Sequence, residues 1–128
     1  MLFKLSTTKT VSEAAADLRV AIEAHYFGLM HIHDLQETMT KKGVEFTHEC
    51  LIFEVCQPQQ AKTVLEANMS VSTALPCRIS IYAEGGNTVL ATLKPTALLA
   101  IFNTPQLEAV AAEVEHAIVR IMTDAIAD

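Results

Sequence analysis

The sequence predicts an α+β fold in which a single mixed or antiparallel β-sheet is covered on one face by helices. Three patterns lead to this prediction. Apolar and polar residues alternate over residues 50–56 and 77–82, as in strands with one buried face. Glu84-Gly85-Gly86-Asn87 is typical of a tight hairpin turn between antiparallel strands. From Leu107 to Ala125, apolar residues recur at the spacing of one long helix face.

The first half of the chain is predicted to form three strands, over residues 2–7, 29–34 and 44–56. Thr10 and Glu13 have the spacing of a capping box, so a helix is expected to start there and to end before Gly28. Its buried face is predicted from helical spacing to hold Val11, Ala14, Leu18, Ala21 and Ile22. A second, polar helix is expected from the cap residue Asp34 to Lys42.

The second half is predicted to form two further strands, over residues 77–82 and 88–94. Helices are expected to begin at Pro58, Pro95 and Pro105, because proline is favoured in the first turn of a helix. In the helix from Pro58, the buried stripe is predicted to be Ala61, Val64 and Leu65. No internal repeat or linker interrupts these elements, so residues 1–128 are predicted to form a single domain.

Composition and charge limit which partners the protein could bind and in which compartment it is expected. The formal net charge is -6, from 9 basic and 15 acidic residues, which argues against nucleic acid because binding requires concentrated positive charge. No run reaches the ~20 apolar residues that span a bilayer, so no membrane partner is expected. The three cysteines lack the spacing of a small secreted domain. They indicate free thiols in a reducing compartment. Because no long apolar segment is found, including at the N-terminus, a bacterial-type cytoplasmic protein is the default expectation.

The stretch Leu75-Pro76-Cys77-Arg78-Ile79-Ser80-Ile81-Tyr82, together with the apolar strand before Pro58, resembles the domain of unknown function 302 family. The resemblance covers most of the chain. It implies a compact α+β fold, usually homodimeric, found in bacteria and archaea and without an established activity. Many members carry Gly-Asn-Pro where this chain has Cys56-Gln57-Pro58, so the family pattern assigns no role to Cys56. That departure is compatible with a subgroup that uses thiol chemistry.

Cys56 and Cys77 are the candidate functional thiols. Cys56 lies just before the predicted helix at Pro58, and the positive end of a helix lowers the pKa of a nearby thiol. Cys56 is therefore predicted to be the most reactive thiol, as a sulfur carrier, redox group or soft-metal ligand. The alternative is that both cysteines are packing residues. Cys50 is too far along the strand from Cys56 to pair with it, so only Cys56 and Cys77 are a plausible disulfide pair.

A half-polar face of the sheet supplies the remaining candidates. Glu54, Arg78 and Tyr82 are predicted to lie on this face, where Arg78 would bind an anionic ligand or would simply pair with Glu54. His31 and His33 are two residues apart, so they are expected on one strand face together with Leu29. They are weak metal-ligand candidates, because no nearby motif completes a metal site.

Two hypotheses of function follow, and the sequence identifies neither a reaction nor a cofactor. The first is a homodimeric ligand-binding or interaction module that uses the half-polar face. The second is a thiol-dependent sulfur-carrier or redox protein that uses Cys56 and Cys77. The expected partners are a second copy of the chain and a small anionic or sulfur-containing ligand. Thiol reactivity discriminates the hypotheses, because only the second requires an accessible cysteine of low pKa.

Overall fold

The computed structural model describes all of residues 1–128. It contains five strands: β1 (Leu2–Thr7), β2 (Gly28–Asp34), β3 (Cys50–Cys56), β4 (Cys77–Glu84) and β5 (Asn87–Leu93). It contains five α-helices: α1 (Val11–Ala24), α2 (Leu35–Lys41), α3 (Pro58–Ala67), α4 (Pro95–Ala100) and α5 (Leu107–Ile126). A 3₁₀ helix (Met69–Ala74) connects α3 to the lead-in of β4.

All five strands form one antiparallel sheet in the order β1-β5-β4-β3-β2. The hairpin predicted between β4 and β5 is present. Its two turn residues, Gly85 and Gly86, have φ angles of 61° and 81°, which glycine adopts without steric cost. The antiparallel sheet confirms the predicted α+β class.

Helix α1 follows its sequence signals closely. The Thr10 side chain accepts a hydrogen bond from the backbone N–H of Glu13, and the Glu13 carboxylate accepts one from the backbone N–H of Thr10. The buried residues of α1 are the predicted ones: Val11, Ala14, Leu18, Ala21 and Ile22. The chain leaves the helix at Tyr26, whose φ is 62°, and Gly28 is instead the first residue of β2.

The main core lies between one face of the sheet and the helices α1 and α5. Fully buried side chains of the sheet, such as Phe53, Ile79 and Leu90, pack in one cluster with residues of both helices. Helix α5 contributes Ile118, Ile121, Met122 and Ala125 to this cluster. Helices α1 and α5 therefore cover one face, as predicted, whereas α3 and α4 belong to a separate cluster. We call the other side the open face; its side chains include His31, His33, Ile52, Glu54, Arg78, Ser80 and Tyr82.

Because β2 contains a β-bulge, the prediction of which β2 side chains share a face is wrong at one residue. Leu29 pairs with Val55 and His31 pairs with Glu54, so Met30 is the extra residue between them. Leu29 consequently faces the core, while His31 and His33 lie together on the open face. The prediction that Leu29 shares a face with the two histidines assumed a regular strand.

Two boundaries and one additional element also differ from the sequence predictions. Strand β3 begins at Cys50 rather than near Val44. Helix α5 begins at Leu107, because Pro105 and Gln106 form a turn that precedes the helix. The 3₁₀ helix over Met69–Ala74 was not predicted, since its polar sequence lacks helical periodicity.

A second, smaller core holds α3, the 3₁₀ helix, α4 and the start of α5 together. Its buried residues are Val64, Val71, Leu99, Leu107 and Ala111. This group of helices lies beyond the end of the sheet at which β3 ends and β4 begins. None of the helices combines the length and apolar character needed to cross a membrane.

Candidate functional site

A cavity of about 430 Å³ lies between the end of the sheet and the smaller helical core. We call it the sheet-end cavity; Cys56, Cys77, Ala61, Leu75 and Leu98 are among its walls. Fifteen of its 23 lining residues are hydrophobic. Its volume is within the range of small-molecule sites, about 300–1,000 Å³, and such sites are also lined mainly by hydrophobic side chains.

Three segments close the cavity opposite the strand ends. The first turns of α3 contribute Gln57, Gln60 and Ala61, and the lead-in to β4 contributes Leu75 and Pro76. Helix α4 adds its own apolar residues Pro95, Leu98 and Leu99. The stretch from Leu75 to Tyr82, on which the family resemblance depends, therefore supplies one wall of the cavity.

The register of β3 and β4 brings the two candidate thiols to the same end of the sheet. Val55 lies directly opposite Cys77, and Cys56 follows Val55 at the end of β3. Cys77 packs against the main core. Because successive residues of a strand point to opposite faces, Cys56 belongs to the open face. The thiols line one cavity from its two sides, and both are free.

The predicted low pKa of Cys56 is wrong, because burial raises the pKa of this thiol. Helix α3 does begin at Pro58, but few of its N-terminal donors are available. Pro58 has no N–H, and the N–H of Gln60 donates to the Gln57 side chain at 2.8 Å. The N–H of Ala61 donates to the Gln57 carbonyl. The helix end is thus capped by its own residues.

The pKa values of the other two cysteines are also raised. Burial, with a smaller effect of the nearby Cys56, raises the pKa of Cys77 to about 11. Burial and the charge of Asp34 raise the pKa of Cys50. Cys50 lies opposite Tyr82 at the far end of β3 and β4, away from the cavity.

On the open face, Glu54 and Arg78 stand opposite each other and form the predicted cross-strand pair. Arg78 Nε lies 3.4 Å from Glu54 Oε2, while His33 Nε2 lies 3.1 Å from Glu54 Oε1. Hydrogen bonding by His33 is the main cause, and Arg78 a lesser one, of a pKa of Glu54 below its ordinary value. Tyr82 lies four residues beyond Arg78 and does not reach this group or the cavity.

His31 and His33 contact each other edge to face, with ring centroids 4.4 Å apart. Glu54 binds His33, but no group of three or more His, Cys, Asp or Glu side chains is arranged to hold a metal ion. The two histidines are therefore brought together without a complete ligand set.

Sequence reasoning missed the glutamines of the cavity wall. Gln57 caps α3, and Gln60 donates from Nε2 to Glu113 Oε2 at 3.3 Å. Gln60 Oε1 is buried without a hydrogen-bond partner. Their position beside Pro58 predicts that both residues lie at the start of a helix. It does not predict that they would line a cavity, because that depends on segments distant in the sequence.

Comparison with known proteins places the chain in a family. A family model described as domain of unknown function DUF302 matches residues 3–125. The chain belongs to the DUF302 family. The crystal structure of an uncharacterized conserved DUF302 protein from Bacillus stearothermophilus is similar, with a TM-score of 0.91 and 29% sequence identity over 97% of each chain. No curated protein matches the sequence. Membership of the DUF302 family confirms the resemblance inferred from the Leu75–Tyr82 stretch.

Proposed function

We propose that the protein is a ligand-binding module that holds a small, mainly apolar molecule in the sheet-end cavity. The observation that carries this proposal is the cavity itself, whose volume and predominantly hydrophobic lining suit such a ligand. The thiols support it, because cysteines with raised pKa values are uncharged at neutral pH and behave as small apolar groups.

Titration with N-phenyl-1-naphthylamine, a neutral apolar fluorophore, tests this proposal. We expect a saturable rise in fluorescence at one probe per chain. Ala61→Trp places a large side chain in the cavity wall and should abolish the signal, whereas Ala67→Trp, at an exposed position of the same helix, should retain it. Equal binding by both variants, or no binding by the parent protein, would refute the proposal.

We also propose that the protein is a cytoplasmic homodimer that associates through the open face. Helices α1 and α5 cover only the opposite face of the sheet, and Tyr82 lies half-buried on the open face outside the cavity. Tyrosine is enriched in protein interfaces, so a sheet face that carries one and that α1 and α5 leave uncovered is a candidate contact surface. Sedimentation equilibrium at micromolar concentration should give twice the chain mass of 14.0 kDa, and a mass of one chain would contradict the dimer.

The second candidate function is a sulfur carrier or redox protein, and it is favoured by one observation: Cys56 and Cys77 line the same cavity. In the carrier reaction, the Cys56 thiolate attacks the outer sulfur of a persulfide donor. The products are a Cys56 persulfide and the donor thiolate. Mass spectrometry after incubation with glutathione persulfide should show a 32 Da adduct that Cys56→Ser loses and Cys50→Ser keeps. If the parent protein forms no 32 Da adduct, the carrier function is excluded.

A further inference from the structure

Arg78 is the one charged residue among those that line the sheet-end cavity. Its side chain is 63% exposed, so the guanidinium lies at the mouth of the cavity rather than within it. No carboxylate and no imidazole lines the cavity. Arg78 is therefore the only charge that lines this apolar space, and its partner Glu54, 3.4 Å away, lies outside the lining.

Hydrogen bonds to neighbouring strands hold the backbone of Arg78 in place. The hydroxyl of Thr92, which is buried in β5, donates to the Arg78 carbonyl oxygen at 2.7 Å. The ladder between β3 and β4 holds Arg78 opposite Glu54. The side chain thus starts from a rigid strand end while its guanidinium, with five N–H donors in a planar fork, stays open to solvent.

Glu54 has a second hydrogen-bond partner besides Arg78. Its side chain is only 16% exposed, and its Oε1 atom lies nearer to His33 Nε2 than its Oε2 atom lies to Arg78 Nε, at 3.1 Å against 3.4 Å. If Arg78 turns toward an anion at the cavity mouth, His33 still pairs with Glu54. Glu54 therefore keeps a hydrogen bond when Arg78 binds a ligand.

We infer that the ligand is an amphipathic organic acid, with an apolar body in the cavity and a carboxylate bound by Arg78 at the mouth. This inference rests on the proposed ligand-binding function and specifies its ligand class. A volume of 430 Å³ corresponds to about 14 waters at ~30 Å³ each, so it accommodates an apolar body of roughly a dozen non-hydrogen atoms. Arg78 matches a carboxylate with two parallel hydrogen bonds.

Decanoate and 1-decanol form a matched pair of probes, because they share one apolar chain and differ in the charged head group. Each displaces N-phenyl-1-naphthylamine from the cavity, and the two dissociation constants give a selectivity ratio at low salt. We expect Arg78→Met to reduce the preference for decanoate about tenfold or more, since a charge-assisted hydrogen bond is lost. Arg120→Met, which removes an exposed arginine of α5, should leave the ratio unchanged.

Glu54→Gln provides a second, independent measurement. It removes the carboxylate that competes for Arg78, so decanoate binding should strengthen while decanol binding stays the same. A selectivity ratio that is equal in the parent protein and in Arg78→Met would overturn the organic-acid inference and leave the cavity as an apolar site. Failure of the fluorophore and of both probes to bind the parent protein would overturn the proposed function as well.

Discussion

Val55 of β3 lies directly opposite Cys77 of β4, and this one pairing sets the geometry of both candidate thiols. Cys77 shares the core face with Val55, whereas Cys56, the next residue, takes the open face. Cys56 and Cys77 therefore line the sheet-end cavity from opposite faces of the sheet. A direct disulfide between them would require the strand ends to leave this regular pairing.

The thiol reactivity expected from the structure differs from that of a catalytic cysteine. At pH 8, a pKa of about 11 leaves about one Cys77 in a thousand as the reactive thiolate. Peptide mapping after a short iodoacetamide pulse should show Cys77 as the slowest of the three thiols, with equal labelling after unfolding. Its labelling rate should rise about tenfold for each pH unit up to that pKa. Labelling of Cys77 as fast as that of Cys50 would contradict the burial argument.

Local sequence signals predicted the elements that depend on local physics. The capping box at Thr10 and the apolar spacing of α1 place that helix correctly, and the Gly85-Gly86 pair places the hairpin. Features that depend on contacts between segments distant in the sequence could not be predicted from local patterns. The bulge at Met30 follows from pairing with β3, and the register that joins Val55 to Cys77 follows from assembly of the sheet.

In the candidate site, too, local features were predicted and features that depend on tertiary packing were not. Alternation along β3 and β4 correctly placed Glu54 and Arg78 on one face, but it did not reveal the cavity. The cavity exists because α3, α4 and the lead-in to β4 pack beyond the sheet end. The pKa of Cys56 was mispredicted, since the sequence shows that Pro58 starts a helix but not that distant segments partly bury the thiol.

Lys9 joins the start of α1 to the end of α5. Its Nζ atom lies 2.7 Å from Asp17 Oδ2 and donates to the carbonyl oxygens of Ala125 and Ala127 at 3.1 Å and 2.6 Å. A cation at a helix C-terminus satisfies carbonyl groups that have no partner within the helix. Lys9→Met should therefore lower the free energy of unfolding by about 1–3 kcal/mol in urea titrations.

Lys4→Met is the matched control for Lys9, because Lys4 is exposed on β1 and forms no ion pair. Its free energy of unfolding should stay within about 0.5 kcal/mol of the parent value. A similar loss of stability in both variants would mean that the Lys9 contacts contribute nothing specific.

The lowered pKa of Glu54 predicts a dependence of stability on acidity. The folded state holds this carboxylate ionised beside His33 and Arg78, whereas the unfolded chain protonates it near its ordinary pKa of 4.5. The contribution is therefore fully present above pH 4.5 and is lost as pH falls through the lower pKa of the folded state. Thermal unfolding from pH 6 to pH 3 should show a smaller loss of stability for Glu54→Gln than for the parent. Glu45→Gln, at an exposed loop position, should follow the parent curve.

The last prediction concerns the open face as a dimer interface. Tyr82 is half-buried at the end of this face that lies away from the cavity, whereas Tyr26 is 86% exposed in the turn between α1 and β2. Tyr82→Glu would place a charge in each of two facing copies, and like charges at an interface favour dissociation. Tyr26→Glu carries the same change outside the proposed interface and serves as its control.

Light scattering at matched concentrations should show that Tyr82→Glu shifts the mass toward 14.0 kDa, while Tyr26→Glu keeps the parent mass. The fluorophore measurement separates assembly from ligand binding, because Tyr82 does not line the cavity. A Tyr82→Glu monomer that still binds the probe would show that each chain holds a complete site. A dimer that persists in Tyr82→Glu would place the contact elsewhere, with the exposed edge of β1 as the next surface to test, because its register with β5 is regular and its outer edge is unpaired.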